Sequence, residues 1–178
     1  MRYNKIRKMD VSNGPGVRVT LFTQGCDFHC KGCFNSVAWD YSGGKLFTKE
    51  EMNKLIELSK DKHIAGLSIL GGEPMSEVNL MDLATLTYKF KLKYPNKTIW
   101  IWTGYLLEDL LKKYKDNSYF KEILNNIDIL VDGLFIEKLK DPSLKYCGSS
   151  NQRVINVKKT LRKNKIILYK EKEYKINE

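Results

Sequence analysis

Val17-Arg18-Val19-Thr20-Leu21-Phe22 leads, two residues on, into Gly25-Cys26-Asp27-Phe28-His29-Cys30-Lys31-Gly32-Cys33-Phe34-Asn35. The first part is β-branched and apolar and reads as a strand. The second places three of the chain's four cysteines within eight residues, spaced C-x3-C-x2-C. A loop at the carboxyl end of a first strand lies on the edge where ligands gather in α/β proteins. Its thiolates can wrap one face of a compact inorganic cluster. A [4Fe-4S] cluster takes four thiolates, one per iron. This loop offers three, and Cys147 lies far downstream. A cluster held so keeps one iron open for a small ligand, as catalytic metal centres keep an open position.

Two other chemistries compete for these cysteines. Zinc takes paired cysteines with a second pair or with histidines. His29 lies between Cys26 and Cys30, where a short loop would struggle to turn all four side chains inward. It reads as an exposed or supporting loop residue. Disulfides need an oxidising compartment, and Met1-Arg2-Tyr3-Asn4-Lys5-Ile6-Arg7 lacks the apolar run of a signal peptide. No stretch approaches the roughly 20 apolar residues that span a bilayer. The expectation is a cytoplasmic protein with reduced thiols and no membrane partner.

Outward from the cysteines the chain alternates strand and helix signals. Asn13-Gly14-Pro15-Gly16 is a turn before the first strand. Thr48-Lys49-Glu50-Glu51 is a capping box, opening a helix whose stripe is Met52, Leu55, Ile56 and Leu58. Gly66-Leu67-Ser68-Ile69-Leu70 reads as a buried strand ending in Gly71-Gly72-Glu73-Pro74. A helix over 77–93 turns Leu80, Leu83, Ala84 and Thr87 inward and stops at Pro95. Thr98 to Thr103 is the next strand, with Trp100 and Trp102 packing on one face. Leu107, Leu110, Leu111 and Tyr114 mark a helix, and residues 119–125 add another turn or two. Strands follow at 127–131 and 153–157, and 166–169 is one more strand or a loose end. Such alternation implies a parallel sheet of βα units. The fold class is α/β: an open partial (β/α) barrel with a mostly parallel sheet of about five or six strands, too few to close. One domain over residues 1–178 is expected, with residues 158–178 as a basic tail.

The chain is 42% hydrophobic and 29% charged, ordinary for a soluble domain. Its formal charge of +10 owes much to Lys158-Lys159-Thr160-Leu161-Arg162-Lys163-Asn164-Lys165. Nucleic acid, an acidic protein partner or a lysine-rich proteome would each account for it. No nucleic-acid module accompanies the lysines, so a docking surface or a solvated face is expected.

Gly71-Gly72-Glu73-Pro74 sits on the same edge as the cysteines. Glycines let backbone approach a ligand closely, and the proline stiffens the exit. Carbonyls on such a turn accept from an ammonium group, and Glu73 adds negative charge. The alternative is a plain tight turn. Beside a three-cysteine loop it reads as an amino-group clamp for a ligand that also reaches the open iron.

These two motifs together resemble the radical S-adenosylmethionine superfamily. Gly14, Gly16, Arg18, Phe22 and Gly25-Cys26, then Cys30, Cys33 and Asn35, narrow the resemblance to glycyl-radical-enzyme activases. Within those, residues 96–105, 130–133 and 148–154 resemble the family that activates anaerobic ribonucleoside-triphosphate reductase. Two departures stand out. Gly32 replaces the aromatic residue that many members place before the third cysteine to contact adenine, and Asn13 replaces an aspartate.

The resemblance implies a [4Fe-4S] cluster on Cys26, Cys30 and Cys33, with S-adenosyl-L-methionine chelating the open iron through its amino and carboxylate groups. Gly32, Cys33, Phe34, Gly71, Gly72, Glu73 and Pro74 would bind that cofactor. Arg18, Asn35, Thr103, Asp132 and Arg153 are candidate contacts to cofactor or partner. An electron from a reduced flavodoxin-like donor would cleave the sulfonium. The 5′-deoxyadenosyl radical would then take hydrogen from a glycine of the reductase. No general base is needed, so no catalytic residue beyond the cluster ligands is expected, and Cys147 is a bystander. Rivals are an activase of another glycyl radical enzyme such as pyruvate formate-lyase, an electron carrier using Cys147 as fourth ligand, and a zinc-bearing nucleic-acid binder.

Overall fold

The structure is a computed structural model and describes residues 1–171. Its strands are β1 (Arg2–Asp10), β2 (Val17–Thr23), β3 (Lys45–Leu46), β4 (Ile64–Gly71), β5 (Thr98–Trp102), β6 (Ile129–Asp132) and β7 (Arg153–Asn156). The helices are α1 (Lys49–Leu58), α2 (Leu80–Lys93), α3 (Leu107–Lys113), α4 (Ser118–Asn126) and α5 (Val157–Lys163). The strands form one open sheet in the order β3-β1-β2-β4-β5-β6-β7. Its centre, β2-β4-β5-β6, is parallel, while β1, β3 and β7 run antiparallel at the flanks. Four parallel strands therefore present their carboxyl ends on one edge.

The α/β class and the open, mostly parallel sheet agree with the sequence reading, but the described strand count is seven. The unforeseen strands are β1 and the two-residue β3, which pairs only with β1. Only Tyr3 and Asp10 of β1 are buried, and its register slips twice against β2, so no period of two shows in the sequence. Of the residues that mark α3, Leu111 is exposed, because the seven-residue helix buries only Leu107 and Leu110. Residues 119–125 belong to a nine-residue helix whose Asn117 side chain accepts from the Phe120 amide. Of the basic stretch, Val157–Lys163 is helical, and residues 172–178 lie outside the described residues.

The two sheet faces are built differently. Val19 and Leu21 of β2, Leu67 and Ile69 of β4, and Ile99 and Ile101 of β5 face one core with the apolar sides of all five helices. Each such fully buried aliphatic side chain contributes about 1.5–3 kcal/mol. The opposite face has no helix packed on it among the described residues. Trp100, Ile129 and Val131 are covered there by Trp102, Tyr146, Cys147, Val154 and Tyr169. Trp100 stacks on Trp102 at 5.8 Å and meets the Tyr146 and Tyr169 rings edge-on at 5.0 and 5.1 Å. Both tryptophans pack, as expected. Arg18 fills the amino end of this face, fully buried, with its guanidinium 5.6 Å from the Trp100 ring.

Candidate functional site

The carboxyl edge gathers almost every residue singled out in the sequence. The cysteine loop follows β2, Gly71-Gly72-Glu73-Pro74 ends β4, Thr103-Gly104 follows β5, and Asp132 closes β6 opposite Arg153 of β7.

Backbone bonds lace the first two loops together. The Gly72 amide donates to the Thr23 carbonyl (2.9 Å) and the Glu73 amide to the Gly25 carbonyl (2.7 Å). Gly72 stands so close to Gly25 that a Cβ would strike the Gly25 carbonyl, so only glycine permits this approach. On its other side the loop is tied by the Gly25 amide to the Ala38 carbonyl (2.8 Å) and the Cys26 amide to the Trp39 carbonyl (3.0 Å). Cys26 is buried, Cys30 and Cys33 are half-buried, and all three are free thiols. Burial pushes the Cys26 thiol up to about 11, against the Phe28 and His29 amides. Burial also raises Cys30, with Cys33 adding to the rise. The Asn35 amide donates to the Cys33 sulfur at 3.4 Å. His29 is exposed and rests against the Trp39 ring at 4.7 Å.

Glu73 is buried, and its carboxylate is spent on the protein. One oxygen accepts from the Thr103 hydroxyl (2.7 Å) and the Met75 amide (2.8 Å), and the other from the Gly104 amide (2.8 Å). Burial pushes this carboxyl up to about 7, with the three donors pulling the other way. Glu73 and Pro74 thus hold the turn from beneath, leaving the half-exposed Gly71-Gly72 backbone as the part a ligand can reach. The Glu73 carboxylate is thus turned onto its loop neighbours. Thr103 serves as a donor to Glu73.

Arg153 binds two carboxylates. Its Nε donates to Asp132 (2.9 Å), and its other nitrogens donate to Glu108 at 3.0 and 2.6 Å. Asp132 is fully buried and also accepts from the Leu107 amide (2.8 Å). This pair staples α3 to the end of the sheet. Arg18, the other arginine expected near the site, lies at the amino end of β2, roughly 17 Å of strand from its carboxyl end. It donates to the Ser68 hydroxyl (2.6 Å), the Leu67 carbonyl (2.9 Å) and Thr98. The structure does not bring Arg18 together with the cysteine loop. Cys147 packs in the aromatic cluster of the far face.

Sequence reasoning missed three neighbours of the loop. Phe28 lies against Gly104 and meets the Tyr105 ring edge-on at 4.7 Å. Glu137, in the segment after β6, pairs with Lys31 at 3.2 Å and abuts Gly32. Trp39 carries an indole N–H that is buried without a partner, as is the Asn35 side-chain amide nitrogen. Glycine directly after a strand, at Thr103-Gly104 as at Gly71-Gly72, was the available signal for the first.

The donor set fits an iron–sulfur cluster better than a single ion. Among the described residues no three Cys, His, Asp or Glu side chains gather closely enough to hold one ion. A cube of four irons takes one thiolate per iron, so its ligands stand a cube's width apart. The unpartnered N–H groups of Asn35 and Trp39, in the segment after Cys33, suit a guest rich in sulfur acceptors.

Residues 12–155 match the family of the 4Fe-4S single cluster domain. The chain is therefore an iron–sulfur domain protein of the single-cluster class. A protein of Salmonella typhi is 42% identical over 156 residues, covering 86% of this chain and 97% of its own. One of Vibrio cholerae is 44% identical, with 85% and 96% covered, and one of Escherichia coli K12 is 40% identical, with 86% and 97% covered. All three are named anaerobic ribonucleoside-triphosphate reductase-activating protein, and the present chain belongs to that family. Among the described residues no helix is long and apolar enough to cross a membrane.

Proposed function

We propose that this protein activates anaerobic ribonucleoside-triphosphate reductase by reductive cleavage of S-adenosylmethionine. The observation that carries the reading is the placement of three thiols, and only three, in one loop laced to the Gly71-Gly72 turn, with Cys147 packed elsewhere. Cys26, Cys30 and Cys33 would hold a [4Fe-4S] cluster with one iron unclaimed by protein. When bound, the cluster would supply the one-electron reduction, with the electron drawn from a flavodoxin-like donor, by which S-adenosylmethionine would be cleaved to methionine and a 5′-deoxyadenosyl radical able to take a hydrogen atom from a reductase glycine.

The chain's own residues position and exclude. The Gly71-Gly72 backbone meets the cofactor's ammonium group, held at its height by Glu73 and, through Glu73, by Thr103 and Gly104. Gly32, Cys33 and Phe34 border the adenine. The Asn35 amide, donating to the Cys33 sulfur, draws electron density from it, and such hydrogen bonds help set a cluster's potential.

The test is anaerobic reconstitution. Expected are about four irons per chain, as one [4Fe-4S] cluster requires, 5′-deoxyadenosine release under dithionite, and a glycyl doublet in electron paramagnetic resonance once the reductase is added. Iron bound without 5′-deoxyadenosine release would overturn the reading in favour of an electron carrier.

A further inference from the structure

Apolar side chains left in solvent surround the cysteine loop. Phe34 and Val37, just past the third cysteine, are 85% and 73% exposed. Leu106 follows β5, and Leu134, Ile136 and Leu139 follow β6; all four are exposed. Bonds between the loops join them into one collar. The Lys31–Glu137 pair seats the segment after β6 against the cysteine loop, and the Gly133 amide donates to the Tyr105 carbonyl (3.0 Å), seating it beside Leu106. The segment is stiff as well: the Ile136 amide donates to the Ser149 hydroxyl (3.2 Å) and the Ser150 amide to the Leu139 carbonyl (2.9 Å). Single exposed apolar residues are ordinary, but a contiguous set on adjoining loops marks an interaction surface.

The lysine-rich stretch 158–165 is elsewhere. The Val157 amide, which starts α5, donates to the Asp128 carbonyl, and Lys158 pairs with the Asp128 carboxylate at 2.8 Å. Asp128 precedes β6, so the lysine-rich helix begins at the amino edge, opposite the cysteines. Resting on the activase reading, we propose that the collar, not the basic helix, seats the reductase through apolar side chains flanking its glycine-bearing segment. A protein substrate has to arrive at the cysteine edge, and what that edge offers around the reacting centre is apolar surface, with Lys31 paired to Glu137 and the exposed Lys138 and Lys140 flanking Leu139.

The test uses the cluster-loaded protein carrying Ile136→Ser with Leu139→Ser, and separately Val37→Ser. The reductase concentration giving half-maximal glycyl-radical formation should rise about tenfold or more in each, the loss expected of interface anchors. Iron content and reductase-free 5′-deoxyadenosine release should match the parent. For the parent, raising salt from about 0.05 to about 0.5 M, which screens surface charge, should shift that concentration by less than about threefold. Parent-like values in the variants, or a tenfold salt effect, would overturn the proposal. Failure of the activase reading itself would show separately, as a parent that releases no 5′-deoxyadenosine.

Discussion

Gly104→Ala tests how the β5 turn sets the cysteine loop. A Cβ at this position would stand 2.6 Å from two Phe28 ring carbons, closer than carbon atoms approach. Either the ring yields or the backbone does. Overpacking a rigid core costs about 1–3 kcal/mol, but Phe28 is only half-buried, so its ring swings away for less. The loss is then mainly its edge-to-face contact with Tyr105, worth about 0.5–1.5 kcal/mol. For a chain of this size that lowers the thermal midpoint by about 2–5 °C. The assay is thermal unfolding of the metal-free protein in a double-mutant cycle with Phe28→Ala. Once the ring is gone, Gly104→Ala should cost nothing further. Equal costs with and without the Phe28 ring would refute the argument, since the strain would then lie in the backbone.

Thr103→Val removes the shortest of the three bonds to Glu73, a loss of about 2 kcal/mol for a donor to a charged group. The Glu73 carboxyl at about 7 lies above its ordinary 4.5, so its proton-linked stability is full below 4.5 and lost as pH rises through 7. Losing a donor to the carboxylate lifts the variant's carboxyl further, so its deficit should stay level below about 7 and grow as pH rises above that, read from unfolding midpoints between about pH 6 and 9. Arg153→Ala should cost about 3 kcal/mol in chemical denaturation, because it strands the fully buried Asp132. Glu108→Gln, at a solvent-facing carboxylate, should cost under about 1 kcal/mol. Cys147→Ser should leave iron content unchanged after reconstitution, whereas serine at Cys26, Cys30 or Cys33 should abolish it; iron lost from Cys147→Ser would make that thiol a ligand.

The sequence disclosed what local chemistry dictates. Continuous apolar strands such as Ile99–Ile101 and the cysteine spacing were legible because buried parallel strands and metal loops write themselves into adjacent residues. β1 was not legible, since its place depends on pairing with β2 rather than on its own pattern. The partners of Glu73 were hidden for the same reason. Its three donors come from Met75, Thr103 and Gly104, and no spacing along the chain reveals that the last two stand over a carboxylate 30 residues earlier. Arg18 misled because an arginine near a ligand edge and one buried under a tryptophan look alike in a string of letters.

The pile of rings on the helix-free face bears on traffic. From Arg18 through Trp100 to Tyr146 and Tyr169 that side is filled, and no passage runs along it between the two ends of the sheet. A polypeptide cannot be drawn through it. On the proposed function, the partner's glycine comes and goes by the cysteine edge alone.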